Sequence, residues 1–154
     1  MRTETVSIVY QPPRILLGMK KQRFGRGKYN GFGGEVEDGE TLEESVVRET
    51  LEEAGITITD PELMGKILFQ FKSDEQDHLV HFFRAMQYQG TIKESDEMKP
   101  EWFDINDIPY DEMWADDKYW LPLLLSNRKF EGNFQFNGDC QILDYKLNEV
   151  EIVG

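Results

Sequence analysis

The chain has 154 residues, of which 39% are hydrophobic and 12% aromatic, and this is the size and composition of one globular domain rather than of a disordered segment. Its 30 acidic residues exceed its 17 basic residues, giving a formal net charge of -13. Such a charge argues against binding to a nucleic-acid polymer or to an anionic membrane. A small anion could still bind through a local basic cluster or through a metal ion.

Cysteine content and hydrophobicity predict the cellular setting. The single cysteine, Cys140, cannot form an internal disulfide. The first residues contain too short an apolar run for a signal peptide, and no stretch approaches the roughly 20 apolar residues of a membrane span. We therefore expect one domain over residues 1–154, monomeric and cytoplasmic, or nuclear or mitochondrial if the source is eukaryotic.

The first half of the chain predicts two strands, a loop and a helix. The runs TVSIVY and RILLGMK flank the turn sequence QPPR and predict two strands. A glycine-rich, basic loop is predicted over residues 20–34. The segment TLEESVVRETLEEAG predicts a helix, because Thr41 and Glu44 have the spacing of a capping box and Gly55 is a C-terminal stop.

The second half predicts further strands around a second helix. Strands are predicted for LMGKILFQF, HLVHFFRAMQY and EWFDI. The segment DDKYWLPLLLSNRKF predicts a helix that Pro122 either bends or opens. The last segment, NFQFNGDCQILDYKL, predicts a hairpin with Asn137 and Gly138 at its turn. The fold class that follows is mixed α/β (α+β) in a single domain.

The first predicted helix has a face of carboxylates. At about 100° per residue, Glu49 and Glu53 share one line and Glu52 lies to one side. The opposite side is predicted to be apolar and to contain Val47, Thr50, Leu51 and Ala54. Arg48 lies four residues from both Glu44 and Glu52 and can offset part of the repulsion. The helix alone leaves two interpretations open, a solvated acidic face or a site for a hard divalent cation such as Mg²⁺.

The residues before this helix favour the metal interpretation. The segment NGFGGEVEDGE contains glycines that let the backbone approach a ligand closely. A basic cluster precedes it and consists of Lys20, Lys21, Arg23, Arg26 and Lys28. A basic loop by itself could be a solvated hairpin loop. Basic loop, glycines and carboxylate helix in succession predict a site for metal-bound phosphate.

From residue 34 to residue 56 the sequence GEVEDGETLEESVVRETLEEAGI resembles the Nudix box, G-x5-E-x7-R-E-U-x-E-E-x-G-U, where U is aliphatic. The matching residues are Gly34, Glu40, Arg48, Glu49, Glu52, Glu53, Gly55 and Ile56. Thr50 departs from the pattern because it stands at an aliphatic position. The resemblance implies the Nudix fold, a mixed sheet between helices, and hydrolysis of a nucleoside diphosphate linked to another moiety. It also implies Mg²⁺, or Mn²⁺ in its place, held by the carboxylates of Glu49, Glu52 and Glu53 and the carbonyl of Gly33.

Five other segments, LLGMKK, NGFGG, ESDEM, MWADDKYW and ILDY, are similar to stretches of the mammalian MutT-type oxidised purine nucleoside triphosphatases of that family. This resemblance implies cleavage of 8-oxo-dGTP and 2-hydroxy-dATP to the monophosphate and pyrophosphate, which sanitises the nucleotide pool and prevents mutation. It implies a further metal or water-positioning carboxylate, Glu97. By position, it implies a nucleotide site formed by Thr5, Lys20, Asn30, Phe32, Gly33, Gly34, Phe69, Trp114, Ala115, Asp116 and Asp117.

Several of these residues also have a simpler interpretation. Asp116 and Asp117 could cap the second helix, but a desolvated carboxylate pair could also share a proton and so both donate to and accept from a purine edge. Phe69 and Trp114 could be core aromatics or could stack on a base.

Outside the base pocket, Glu97 could be an ordinary loop charge, and we assign no chemistry to His78 and His81. Four positions depart from the resembling enzymes and leave the preference among purines open: Glu35 replaces a lysine, Tyr29 a tryptophan, Arg23 a glycine and His78 a methionine.

The charge of a triphosphate predicts the mechanism. A divalent ion neutralises the phosphates and lowers the pKa of a water, and a carboxylate accepts its proton. Glu49 and Glu53 are both candidates for this base, and Lys20 would add a positive charge on the phosphates. Two alternatives are a Nudix hydrolase of dinucleoside polyphosphates or nucleotide sugars and a non-catalytic Nudix binding domain. The complete set of box carboxylates argues against the second.

Overall fold

Strands dominate the fold, and two helices pack on them. A computed structural model describes residues 1–154. The elements are β1 (Arg2–Gln11), β2 (Arg14–Lys20), β3 (Tyr29–Asn30), β4 (Phe32–Glu35), α1 (Leu42–Ala54), β5 (Ile56–Thr59), β6 (Glu62–Phe71), β7 (His78–Ala85), β8 (Gln87–Gly90), β9 (Met98–Asp104), α2 (Asp117–Leu125), β10 (Lys129–Phe136) and β11 (Ile142–Val150). Neither helix has the length and apolar character that a membrane crossing requires.

Nine strands form one mixed sheet. The order is β11-β10-β6-β7-β1-β2-β3, with β4 added to β1 and β9 added to β2, while β5 and β8 form a separate pair. The pairs β1–β7 and β6–β10 are parallel, and the other pairs of the large sheet are antiparallel. The predicted mixed fold is confirmed. β1 lies near the middle of the sheet, so its side chains reach the neighbourhood of both helices.

The alternation of side chains along β1 separates two hydrophobic cores. Ile8 belongs to the core that contains Trp120 of α2. Val9, the next residue, belongs to the core that contains Val46 of α1. Because consecutive residues of a strand point to opposite faces, the two helices cover opposite faces of the sheet.

Helix α1 begins and ends as predicted, but its buried side differs. The Thr41 side chain accepts from the Glu44 backbone, the Glu44 side chain accepts from the Thr41 backbone, and Gly55 ends the helix with a φ of 77°. The prediction that Leu51 faces the core is wrong, because this side chain is 49% exposed. Glu53 is buried instead. The buried stripe runs through positions 46, 50, 53 and 54, which are spaced for one face of a helix.

Thr50 occupies its aliphatic position by pairing with a second hydroxyl. Both Thr50 and Ser7 of β1 are fully buried, and their hydroxyl oxygens are 2.8 Å apart. The Thr50 hydroxyl donates to the Val46 carbonyl at 2.7 Å, so the Ser7 hydroxyl is the donor between the two. No buried hydroxyl of this pair is left without a partner.

Thr50→Val is therefore expected to destabilise the protein by about 1 to 2 kcal/mol, because it leaves the Ser7 hydroxyl unpaired. Adding Ser7→Ala should restore most of that loss, since both polar groups are then removed. Urea unfolding of the two single variants and the double variant measures the coupling. A double variant no more stable than Thr50→Val would contradict the pairing.

Three predicted elements need correction. The basic loop over residues 20–34 contains the short strands β3 and β4, and the run HLVHFFRAMQY is divided at Met86 into β7 and β8. The second helix ends at Leu125 rather than extending to Phe130, because Asn127 turns the chain with a φ of 61° and β10 then begins. Pro122 lies inside α2 and does not open it.

The C-terminal hairpin is confirmed, and it continues the large sheet. β10 and β11 pair antiparallel, and β10 also pairs with β6. The turn is longer than an Asn-Gly dipeptide, because the Asn137 side chain accepts from the backbone N–H groups of Asp139 and Gln141. The strand β5 is an element that the sequence pattern did not predict.

Candidate active site

A cavity of about 480 Å³ opens on the face of β1 that carries Glu4, Val6 and Ile8. Most of the residues predicted to form a nucleotide and metal site line it together. These are Lys20, Asn30, Gly33, Gly34, Glu49, Glu52, Glu53, Phe69, Glu97, Trp114, Asp116 and Asp117. Residues up to 97 positions apart in sequence therefore line the same cavity. The cavity has a carboxylate end near α1 and an aromatic end near α2.

Three of the predicted site residues, Thr5, Phe32 and Ala115, are not among the residues that line this cavity. Thr5 lies on the opposite face of β1, where its hydroxyl is 3.2 Å from that of Ser45 in α1. Phe32 is fully buried in the core beneath α1, and Ala115 packs against the other core. In a strand, successive side chains point to opposite faces of the sheet, and this alternation decides which of them face the cavity. The resemblance in sequence does not specify the face.

Glycines at the carboxylate end let α1 approach the sheet. A Cβ atom added at Gly34 would lie 2.7 Å from the carboxylate of Glu49, which is closer than non-bonded atoms approach. The backbone N–H of Gly33 donates to the Glu53 carboxylate at 2.9 Å. Any larger residue at position 34 would therefore displace Glu49 from the cavity.

The carboxylates gathered here repel one another. Burial raises the pKa of Glu53, and the nearby charges of Glu49 and Glu97 add to this, so that the pKa reaches about 9 although the Gly33 N–H lowers it. Burial also raises the pKa of Glu49, against the opposing effect of Arg48. Hard oxygen ligands crowded in this way fit a divalent cation, which would offset their repulsion.

Arg48 braces the acidic row, and its expected contact with Glu52 is present. Its guanidinium lies 2.6 Å from Glu40, 2.9 Å from Glu49 and 3.3 Å from Glu52. The expected contact with Glu44 is wrong, because that carboxylate accepts from the Thr41 backbone in the capping box. Hydrogen bonds from Arg48 lower the pKa of Glu40 to about 2.

With the carboxylates tied to Arg48, no group of three acidic, histidine or cysteine side chains surrounds a common metal position. The donor atoms are therefore present at one end of the cavity but are not assembled around a single point. Glu49 accepts from Arg48 through only one of its two oxygens, so its other oxygen remains available to an ion.

Two buried aspartates lie at the aromatic end. Asp116 and Asp117 are 3% and 6% exposed, and the Trp120 indole donates to Asp116 at 2.7 Å. Asp116 stands at the N-cap position of α2 but makes no side-chain capping bond, so capping does not account for it. Burial raises the pKa of both groups, and the neighbouring charge of Asp116 raises that of Asp117 further. Two desolvated carboxylates this close favour retention of a proton by the pair to higher pH than by an ordinary aspartate.

Phe69 and Trp114 both pack in the core that contains Trp120 and also line the cavity. Phe69 is 8% exposed and stacks on Phe134 with ring centroids 5.9 Å apart, so it belongs to a core and also lines the cavity. The ring centroids of Trp114 and Phe24 are 5.1 Å apart, and the Lys28 ammonium lies 5.4 Å from the Trp114 ring centroid. A flat base could stack among these rings.

Several cavity residues were missed in the sequence, and three of them bear on the chemistry of the site: Glu4, Phe24 and His78. Alternation along β1 could have indicated Glu4, because it shares a face with Val6 and Ile8. Phe24 has no such signal, since it belongs to a loop. His78 was given no role, yet it hydrogen-bonds to Glu4, which is 74 residues away in sequence.

Comparisons with known proteins agree with this geometry. The family description "NUDIX domain" matches residues 1–124. The "Oxidized purine nucleoside triphosphate hydrolase" of Danio rerio is 51% identical over 147 residues, covering 96% of this chain and 94% of that protein. The protein of the same name from Mus musculus is 47% identical over 150 residues, covering 97% of this chain and 96% of its own length.

A solved structure extends the agreement to the whole fold. The crystal structure of a MutT mutator protein from Bacillus halodurans superposes with a TM-score of 0.86 at 32% identity, covering 96% of this chain and 98% of that chain. Hydrolases of the matched family generally use divalent metal ions, in keeping with the crowded carboxylates beside Gly34. By sequence, fold and site, the chain belongs to the Nudix family.

Proposed function

We propose that this chain hydrolyses oxidised purine nucleoside triphosphates, namely 8-oxo-dGTP and 2-hydroxy-dATP, to the monophosphate and pyrophosphate, and so removes mutagenic precursors from the nucleotide pool. The observation that carries the proposal is the buried Asp116–Asp117 pair, which shares a cavity with the box carboxylates. The names of the Danio rerio and Mus musculus relatives support the same activity.

The proposed metal is Mg²⁺, with Mn²⁺ able to replace it. Its ligands would be the carbonyl of Gly33 and the carboxylates of Glu49, Glu52, Glu53 and Glu97. When bound, such an ion neutralises phosphate charge and lowers the pKa of a water. The room at Gly34 and the mutual repulsion of the carboxylates support this assignment.

The chain's own residues supply binding and proton transfer. Lys20, which lines the cavity, places a positive charge on the phosphates. Either Glu49 or Glu53 accepts the proton of the attacking water, because both lie at the carboxylate end. At the other end, Phe69 and Trp114 stack on the base, and Asn30 supplies an amide for its edge.

The aspartate pair explains why more than one oxidised base would fit. With one shared proton, the pair presents one donor and remaining acceptors, and the proton can move between the two carboxyl groups. Purines whose edges carry different patterns of donors and acceptors can then bind in the same pocket. This tolerance suits an enzyme that removes both 8-oxo-dGTP and 2-hydroxy-dATP.

We also propose that the protein acts as a single-domain monomer over residues 1–154 and that it works in the cytoplasm, or in the nucleus or mitochondria of a eukaryote. The net charge of -13 supports a small nucleotide as the ligand rather than a nucleic-acid polymer or a membrane.

Pyrophosphate release with Mg²⁺ tests the proposal on 8-oxo-dGTP, 2-hydroxy-dATP, dGTP and dATP. The oxidised purines are expected to lead by about tenfold or more in kcat/KM, since buried polar groups discriminate between hydrogen-bonding edges. A dinucleoside polyphosphate and ADP-ribose test the alternative Nudix activities. Faster turnover of dGTP than of its oxidised form, or activity on the last two substrates alone, would overturn the sanitising role.

A further inference from the structure

A cluster of charged side chains forms the middle of the cavity wall. Glu4 of β1 and His78 of β7 both line the cavity, and the Nδ1 atom of His78 hydrogen-bonds to the Glu4 carboxylate. The other ring nitrogen, Nε2, lies 2.8 Å from the carboxylate of Glu75, outside the cavity lining. The ring of Phe24 packs on His78 with centroids 5.6 Å apart. Two carboxylates and one aromatic ring therefore fix the position of the His78 imidazole.

The contacts define the charges of this cluster. Ionised carboxylates only accept hydrogen bonds, so a ring with a carboxylate at each nitrogen is an imidazolium that donates twice. Burial lowers the pKa of His78, but the bonds to Glu4 and Glu75 outweigh burial and raise it. Burial raises the pKa of Glu4, but the bond and charge of His78, with Arg2 and Lys20, lower it.

Glu4 keeps acceptor capacity that the protein does not use. One of its oxygens bonds to His78, and the other has only a long contact of 3.5 Å to Arg2. A carboxylate has about four lone-pair positions, so several acceptor positions of Glu4 are free to meet a ligand in the cavity. Among the lining residues beside Glu4 on these strands, Val6 and Val80 offer no side-chain polar atom, and the Arg2 guanidinium offers only donors.

The sheet places Glu4 between the two ends of the cavity. Phe69 of β6 pairs with His78 of β7, and β7 is followed by β1 and then β4, where Gly34 lies beside the carboxylate end. Neighbouring strands are about 4.8 Å apart. The wall around Glu4 is therefore about two strands from the aromatic end and one strand from Gly34. In a bound nucleotide, the group between base and phosphates is the sugar.

Building on the proposed function, we infer that Glu4 accepts a hydrogen bond from a sugar hydroxyl of the bound nucleotide and that His78 positions the Glu4 carboxylate for this contact. In the proposed function the phosphates have their own partners, the metal at the carboxylate end and Lys20. The base edge has its own partners in Asn30, Asp116 and Asp117. A hydroxyl is the donor that the sugar offers.

The test compares 8-oxoguanosine triphosphates that differ only in their sugar: the 2′-deoxy, the 2′,3′-dideoxy and the ribo forms. In the wild type, loss of the hydroxyl that Glu4 binds is expected to lower kcat/KM by about 10- to 100-fold, mainly through KM, as for a hydrogen bond to an ionised group. The dideoxy form reports on the 3′-hydroxyl, and the ribo form reports on the 2′-hydroxyl. Insensitivity of the wild type to both hydroxyls would overturn the inference.

In Glu4→Gln the dependence on the sugar hydroxyl should shrink to a few-fold, because a neutral acceptor forms the weaker bond. His78→Gln should also reduce the dependence on the sugar hydroxyl, because it removes the charged hydrogen bond that positions Glu4. If His78 were only structural, the ratio between sugars would stay unchanged. Glu62→Gln is the matched control, since Glu62 pairs with Arg84 away from the cavity and should keep the wild-type ratio.

Two further measurements keep the result decisive. If Glu4→Gln does not fold, as judged by circular dichroism, Glu4→Asp replaces it and should reduce the same ratio by shortening the reach of the carboxylate. If the wild type hydrolyses no oxidised triphosphate, the proposed function fails, and calorimetric binding of the corresponding monophosphates measures the hydroxyl dependence instead. An unchanged ratio between sugars in the Glu4 variants would overturn the inference in either assay.

Discussion

Glu53→Gln is expected to lower kcat for pyrophosphate release by at least about a hundredfold. The glutamine keeps the shape of the side chain and an oxygen that can accept from the Gly33 N–H. It removes one ionisable carboxylate from the group proposed to hold the metal. Steady-state kinetics with 8-oxo-dGTP and Mg²⁺ measures the loss. Glu43→Gln, an exposed change on the same helix, is the control and should retain wild-type activity.

The same variant should alter how stability depends on pH when metal is absent. The ordinary pKa of a glutamate is 4.5, whereas burial and the charges of Glu49 and Glu97 raise that of Glu53 to about 9. Folded protein therefore holds a proton that unfolded protein loses between these two values. The stability linked to Glu53 is fully present below the lower value and is lost as pH rises through the upper one.

Thermal unfolding in chelator between about pH 5 and 9 follows this linkage. The midpoint of the wild type should fall with rising pH more steeply than that of Glu53→Gln, whose amide does not titrate. Mg²⁺ should raise the midpoint of the wild type at the alkaline end more than that of the variant, because binding of the ion to the folded state favours the ionised carboxylate. Parallel curves for the two proteins would contradict the pKa assigned to Glu53, and full activity of the variant would contradict its place in the metal site.

The sequence predicted those features of the site that are formed by residues close together in the chain. The capping box of Thr41 and Glu44 and the stop at Gly55 are made within one helix, and their geometry follows from spacing alone. The face of α1 was less predictable, because packing on β4 and β1 rather than helical period decides that Glu53 is buried and Leu51 is exposed.

Contacts between distant segments were beyond the sequence pattern. The bond between Glu4 and His78 depends on the parallel pairing of β1 with β7, and no local signal specifies which strands become neighbours. The orientation of the Thr5 side chain was also not predictable from the sequence. Its position in the chain agreed with the resembling enzymes, yet the strand directs it to α1 and directs Glu4 and Val6 into the cavity.

The aspartate pair shows how burial changes the meaning of a sequence. In the chain, Asp116 and Asp117 precede a helix and are typical of a cap. In the fold, the Trp120 indole donates to Asp116, and burial raises the pKa of both aspartates. In the proposed function the pair therefore belongs to a base pocket rather than to a helix cap.

Asp117→Asn is expected to change the ratio of kcat/KM for 8-oxo-dGTP and 2-hydroxy-dATP by about tenfold or more. An asparagine amide donates and accepts in a fixed pattern, so the pair can no longer move its proton to suit a second base. Asp116→Asn fixes the opposite pattern and should shift the ratio the other way. Steady-state kinetics on both substrates measures the two shifts.

The pH profile separates a shared proton from a merely structural role. Burial and the neighbouring charge of Asp116 raise the pKa of Asp117, so the pair keeps a proton to higher pH than an ordinary aspartate would, and KM of the wild type should increase as rising pH removes that proton. Asp117→Asn has no such proton to lose, so its KM should change less over the same range. If both asparagine variants lower activity on the two substrates equally, and their KM follows the wild-type profile, the pair supports the fold of the pocket rather than selecting the base.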